Sequence, residues 1–262
     1  MRPWIAWFAA FAIGGCVTSG TPRDVIKEGA TFRDRVHVGV GDQSVPLPEG
    51  EWVVGGTFNE RTSVGTIILN FVLFQREGNQ ISKMVLISTP RTTGTGRGYE
   101  MSGDCGRNDA HYRKTEANTY GGSQNCRLVD HRRLAWPGGP PDHWKSFVSY
   151  VDRERIRRPH TLVGSLYRFA NAHTYLDADY MSNPENEGFA PAGSDWSSSN
   201  WHRSNLPKDP RKVEYINRAI AWTDGWYSVV LAGFEGRPTA PQMTPAVTAP
   251  VQPASSGKAP AQ

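Results

Sequence analysis

Three runs rich in Val, Ile, Phe and Thr follow one another early in the chain: "EWVVGGTFNE" (51–60), "VGTIILNFVLFQ" (64–75) and "ISKMVLIST" (81–89). Runs of this composition with turn signals between them read as strands. The Glu77-Gly78-Asn79 break between the last two is a hairpin turn candidate. "RVHVGV" (35–40) adds an earlier strand, and "TLVGSLYRF" (161–169) and "TYLDADYM" (174–181) bring two later ones. Between them, "DHWKSFVSYV" reads as a helix with Asp142 as its cap, Trp144, Val148 and Val151 on one face, and Pro159 as its stop. The clearest helix comes last, with Asp209 as N-cap, Pro210 at the first helical position and an apolar period running to Phe234. Its apolar residues form two stripes. Val213, Ile216, Ile220, Tyr227, Leu231 and Phe234 make one; Tyr215, Ala219, Trp222, Trp226 and Val229 make the other. Two stripes predict burial on two sides, beneath the sheet and against the 183–206 segment. The order β-β-β, helix, β-β, helix predicts an α+β fold: one domain over 32–235, mostly antiparallel sheet with two main helices.

The N-terminus sets the context of that domain. One Arg, ten uncharged residues from Trp4 to Ile13, and two glycines lead to Cys16. This is the make-up of a secretory signal peptide, and the run is far short of the ~20 apolar residues that span a membrane. Ile13-Gly14-Gly15-Cys16 resembles the lipobox of bacterial lipoproteins, with Ile13 where Leu is usual. The resemblance covers about the first 20 residues only. It implies removal of residues 1–15 and acylation of Cys16 by diacylglyceryl and, at the new amine, by a palmitate-like chain. It also implies a membrane anchor, since several chains hold where one would not. Val17, where this family has Asp for inner-membrane retention, implies an outer-membrane lipoprotein facing the periplasm. The alternative is cleavage by the ordinary signal peptidase, which would leave a soluble secreted protein.

Export accounts for the odd cysteine count. Cys16 takes lipid, and Cys105 and Cys126 remain as a pair in an oxidising compartment where disulfides persist. The segment between them is rich in Gly, Asn and charge, and closing it contributes about 3 kcal/mol in the chain-entropy account. Two thiols so far apart, without CxxC spacing, fit zinc poorly.

Removing the single charge of the signal segment (Arg2) from the net +4 leaves a mature chain of +3. That is too slight to argue for nucleic acid. Residues 16–31 read as a lipidated cysteine and a polar tether of roughly 20 Å mean reach. Residues 236–262 carry six Pro from 237 onward and no aromatic residue, and are expected to be disordered. Nine Trp and nine Tyr suit a core plus a sugar or protein contact.

Catalytic motifs are absent. "TGTGRG" (93–98) has no following helix to make it a dinucleotide fingerprint. The seven His show no metal-ligand spacing, so no metal or cofactor is expected. The long segment 183–210 carries Asp195, Trp196, Ser198, Trp201 and His202. Asp195, Ser198 and His202 invite a hydrolase reading, but no GxSxG elbow supports it. Against it stands a surface loop pinned by Trp196 and Trp201, two residues that are also candidates for partner binding. Along 174–181 the carboxylates of Asp177 and Asp179 share a face about 7 Å apart, either for acid-base or cation chemistry or as a solvated face near a sheet edge. Arg153, Arg155, Arg157 and Arg158 gather where they would meet anionic lipid headgroups or simply complement a helix C-terminus. The expectation is therefore a non-catalytic envelope lipoprotein that binds a protein, glycan or lipid partner or supports envelope assembly. An envelope hydrolase using Asp177, Asp179, Asp195 or His202 is the alternative.

Overall fold

The structure, a computed structural model, describes residues 26–238 except 135, 137 and 194 and the side chain of His143. The signal segment, Cys16 and the tail from residue 239 lie outside the described residues.

The expected α+β fold is what forms. The first strands are β1 (Thr31–Phe32), β2 (Arg35–His37) and β3 (Ser44–Pro46). The three apolar runs follow as β4 (Trp52–Arg61), β5 (Ile67–Glu77) and β6 (Gln80–Pro90). After them come a short helix α1 (Gly103–Gly106), β7 (Tyr112–Asn118) and β8 (Gln124–Arg133). The chain closes with α2 (Asp142–Arg153), β9 (Thr161–Ala170), β10 (Tyr175–Ser182) and α3 (Pro210–Phe234). One antiparallel sheet runs in the order β1-β4-β5-β6-β10-β9-β8-β7, and β2 and β3 pair separately. Cys105 on α1 is bonded to Cys126 on β8, as the sequence suggested. The segment between them is not a loose loop, however, because it contains the β7–β8 hairpin.

Each face of the sheet is covered by one helix. On β4 a bulge between Val54 and Gly56 lets α2 descend onto the backbone. A Cβ on Gly56 would lie 2.7 Å from the Phe147 backbone nitrogen, so the contact needs glycine. Phe147 and Val151 of α2 then pack with Phe74, Met84 and Leu162 in a core of their own. Two expectations about α2 are corrected. Asp142 is its first residue rather than its cap, which is Pro141. The helix also stops at Arg153, well before Pro159, where Arg155 takes a left-handed φ of 54°.

On the other face, α3 starts where expected, with the Asp209 carboxylate accepting from the Arg211 amide at 3.1 Å. Its buried residues, among them Tyr215, Ile216, Thr223, Trp226, Val229 and Val230, form one face rather than two. The two stripes read from sequence are the flanks of that face, which explains why Ile220, Tyr227 and Leu231 are half-buried. Thr223 fixes the register of helix on sheet. Its carbonyl accepts from Tyr167 Oη at 2.8 Å, and its hydroxyl bonds Ser165 Oγ at 2.7 Å. The C-terminal half of α3 lies over β3, and the N-terminal half packs against Phe189, Trp201 and Leu206 of the 183–206 segment.

Candidate functional site

Strand register decides which candidate residues can meet. Asp179 pairs with Leu166, which pairs with Leu128, so Asp177, Asp179, Asp130 and Arg132 share the face away from α3. Ala178, Tyr167 and Arg127 pair in the same way, which places Val129 and His131 on the α3 face.

Asp177 and Asp179 do share a face, but not a solvated one near an edge. β10 is an inner strand between β6 and β9, and Asp179 is buried. Arg132 Nε donates to Asp179 Oδ2 at 2.8 Å, and Arg168 donates to Asp177 Oδ2 at 2.6 Å. Arg132 also reaches Asp130, 3.7 Å away, and Arg107 closes the row on the other side of Asp130. Gly164 makes room for this network, since a Cβ there would stand 2.5 Å from Asp179 Oδ1. The result is a partly buried lattice of carboxylates and guanidiniums across β8, β9 and β10, with Asp130 and Asp179 its buried members, beside the disulfide.

Burial pushes the Asp177 carboxyl up to about 6, against the lowering effect of Arg168. The folded protein thus keeps this proton up to about pH 6, whereas an unfolded aspartate releases it near 3.9. Stability from this group is full below about pH 3.9 and is lost as pH rises through about 6. Asp177→Asn removes that slope. Relative to wild type, the variant is expected to gain about 2 kcal/mol between pH 4 and pH 7, after allowance for partial exposure. Urea unfolding at stepped pH checks this, and parallel profiles would show an ordinary surface carboxyl.

Asp195 and His202 lie elsewhere and do not form a triad. Asp195 accepts from the Ser198 amide at 3.1 Å and the Ser197 hydroxyl at 3.0 Å, and Ser198 first, then Ser197, hold its carboxyl below the usual range. It serves its own exposed turn. His202 Nδ1 bonds Ser204 Oγ at 2.8 Å. These two groups and the Asp177–Asp179 pair belong to opposite faces of the sheet, so no single pocket unites the hydrolase candidates.

Trp196 and Trp201 differ in placement. Trp201 is 0% exposed and has no surface to offer a partner. Trp196 is half-exposed and stacks on His131, with ring centroids 3.6 Å apart. Three of the four arginines are engaged locally. Arg153 pairs with Glu28 at 2.6 Å, Arg157 bonds Gln80, and Arg158 stands 3.6 Å from Asp152, while Arg155 is exposed in its left-handed turn. They point to separate neighbours and do not converge on one phosphate.

Two features went unread in the sequence. The first is a cleft of about 480 Å³ between α3 and the ends of β5, β6 and β10, in the size range of small-molecule sites. Trp52, Tyr180, Tyr215 and Trp222 line it, and Arg76 and Lys83 stand exposed at its edge. Among the described residues neither cation is in an ion pair. The neighbouring charges are spoken for: Arg218 pairs with Glu187 and Glu214, and Glu77 accepts from Asn186 at 3.2 Å. The second is a cluster of His111, Asp130 and His131, their side chains buried where the β7 pairing ends at Tyr112 and Val129. Among the described residues this is the group whose ligand atoms lie within 4.8 Å of one another. Burial drives the His111 ring down to about 4, against the pull of Asp130, so it is neutral at ordinary pH.

Comparison of the chain with protein-family models, with curated proteins and with solved structures finds no match. The chemistry of these two features is therefore what bears on function. No described helix is long and apolar enough to cross a membrane.

Proposed function

We propose that this protein is a lipid-anchored cell-envelope protein whose domain binds an amphipathic anion in the cleft beneath α3, without chemistry of its own. The cleft carries the reading. Its wall, where the partly exposed Trp222 stands in front of the buried Tyr180 and Tyr215, suits an apolar body, and Arg76 and Lys83 at its edge suit an acidic head. A site of this kind, mostly apolar with a few placed polar groups, is the usual form of a small-ligand pocket. The hydroxyl of Ser182, 2.8 Å from Tyr215 Oη, and the amide of Asn186 offer orienting contacts. The lipobox-like segment ending at Cys16 supports the envelope location and anchor, and the mass of protein extracted in mild detergent from its own envelope tests the acylation.

Dansyl-labelled undecanoic acid is a suitable probe, added to the folded domain with its disulfide intact. Saturable binding is expected. Arg76→Glu/Lys83→Glu should weaken it by about tenfold, which corresponds to about 1.4 kcal/mol, and Trp222→Ala should weaken it further. Binding that is not saturable, or that ignores both variants, would remove the proposal.

A further inference from the structure

We infer that His111, Asp130 and His131 form a binding site for a divalent transition-metal ion, with zinc the best match. The site goes beyond the cleft reading and is independent of it, since none of the three residues lines the cleft.

The geometry comes first. Asp130 Oδ1 is 3.3 Å from His131 Nδ1 and 3.9 Å from His111 Nε2. Zinc bonds of ~2.0–2.1 Å to nitrogen and oxygen in tetrahedral array place donor atoms roughly 3.3 Å apart. The Asp130–His131 distance already matches that spacing, and all three ligand atoms lie within 4.8 Å of one another.

Burial supplies the second argument. The three side chains are 1%, 0% and 3% exposed. Among the described residues no hydrogen bond reaches any of the four imidazole nitrogens. Buried ring nitrogens normally find partners, because leaving one unpaired costs about 1–3 kcal/mol. Two histidines left this way, both facing one carboxylate oxygen, are accounted for by an ion that takes one nitrogen from each.

The donor set selects the ion. Two imidazoles and one carboxylate suit zinc and its neighbours, whereas calcium and magnesium prefer oxygen alone. Thiolate is excluded, as both cysteines of the domain are joined in the disulfide. Every charged group around Asp130 counts. Arg107 and Arg132 both approach Asp130 Oδ2, and the His131 amide donates to Oδ1 at 2.8 Å, which holds the carboxylate in place as outer partners would and leaves the second lone pair of Oδ1 for the metal. Their positive charge also opposes a second cation, so this site should bind less tightly than one built without them. Trp196 covers the His131 ring, with Arg107 5.6 Å from the Trp196 centroid. The His202 ring lies edge-on nearby, its centroid 6.2 Å from that of His131.

The test uses the whole folded domain and starts from wild type. Cobalt(II) added to metal-free protein is expected to give the visible bands of a tetrahedral nitrogen–oxygen site, and one equivalent of zinc should displace them and raise Tm. X-ray absorption of the zinc form should show two imidazoles and no sulfur. His111→Gln should abolish the bands with the circular dichroism unchanged. Wild type without cobalt bands and without a Tm rise overturns the site. So do a sulfur shell, fewer than two imidazoles, or full binding retained in His111→Gln. If His111→Gln fails to fold, the absorption spectrum of wild type decides alone.

Discussion

Trp201→Ala is expected to cost the domain about 3–5 kcal/mol, in the range for removing a large buried aromatic. The Trp201 ring is wholly buried, edge-on to Phe189 at 5.1 Å and to Tyr215 at 5.5 Å, with Lys212 Nζ 5.5 Å from its centroid. Nothing else of its size joins the 183–206 segment to α3. Once it is gone, Phe189 and Tyr215 lose a shared neighbour, and the segment is held to α3 by the Phe189–Tyr215 edge contact, by Leu206 and by the exposed Arg211 and Arg218 contacts to Glu187. Trp196→Ala, at a half-exposed ring in the same segment, should cost clearly less. Urea unfolding of both variants compares them. A Trp201→Ala loss below about 1 kcal/mol would mean that the segment is not part of the cooperative core.

The elements that could be read from sequence are those whose burial writes an apolar run or an apolar period into the chain. β4, β5 and β6 announce themselves by Val, Ile and Phe because both of their faces are covered, and α3 does so by its cap and period. β7 and β8 gave no such signal. β7, "YRKTEAN", is a polar edge strand with most of its side chains exposed. β8, "QNCRLVDHRR", is almost wholly buried, yet it carries charge because Asp130 and Arg132 neutralise each other and Asp179 across strands. A composition that looks too charged to order is here a strand whose charges are paired inside. The same pairing misled the reading of Asp177 and Asp179, whose alternation placed them on one face but could not say that arginines from β8 and β9 would meet them there. The His111–Asp130–His131 group was invisible for a simpler reason. It exists only once the β7–β8 hairpin brings residue 111 alongside 130 and 131, and no local spacing records that. The cleft is likewise assembled from β4, β5, β6, β10 and α3, and its Tyr180 and Trp222 look in sequence like any core aromatics.

Arg132 is the residue on which that lattice depends, and Arg132→Met is expected to destabilise the domain by about 3–5 kcal/mol at neutral pH. Burial works against the guanidinium charge, but Asp179 and then Asp130 more than reverse this and raise its pKa. Removing it leaves Asp179, whose side chain is 7% exposed, without the one ion partner it has among the described residues. Asp130 keeps Arg107 and suffers less. The loss should therefore reside mainly in Asp179. Arg132→Met/Asp179→Leu tests this, because replacing both members of a buried pair by apolar groups is often near neutral, while breaking the pair is not. The double variant is expected to regain most of the stability lost by Arg132→Met, with the coupling read from a double-mutant cycle in urea. A double variant no more stable than Arg132→Met would place the cost in Asp130 or in the packing of the Arg132 stem. The lattice would then be a set of independent pairs rather than a row held together at its middle.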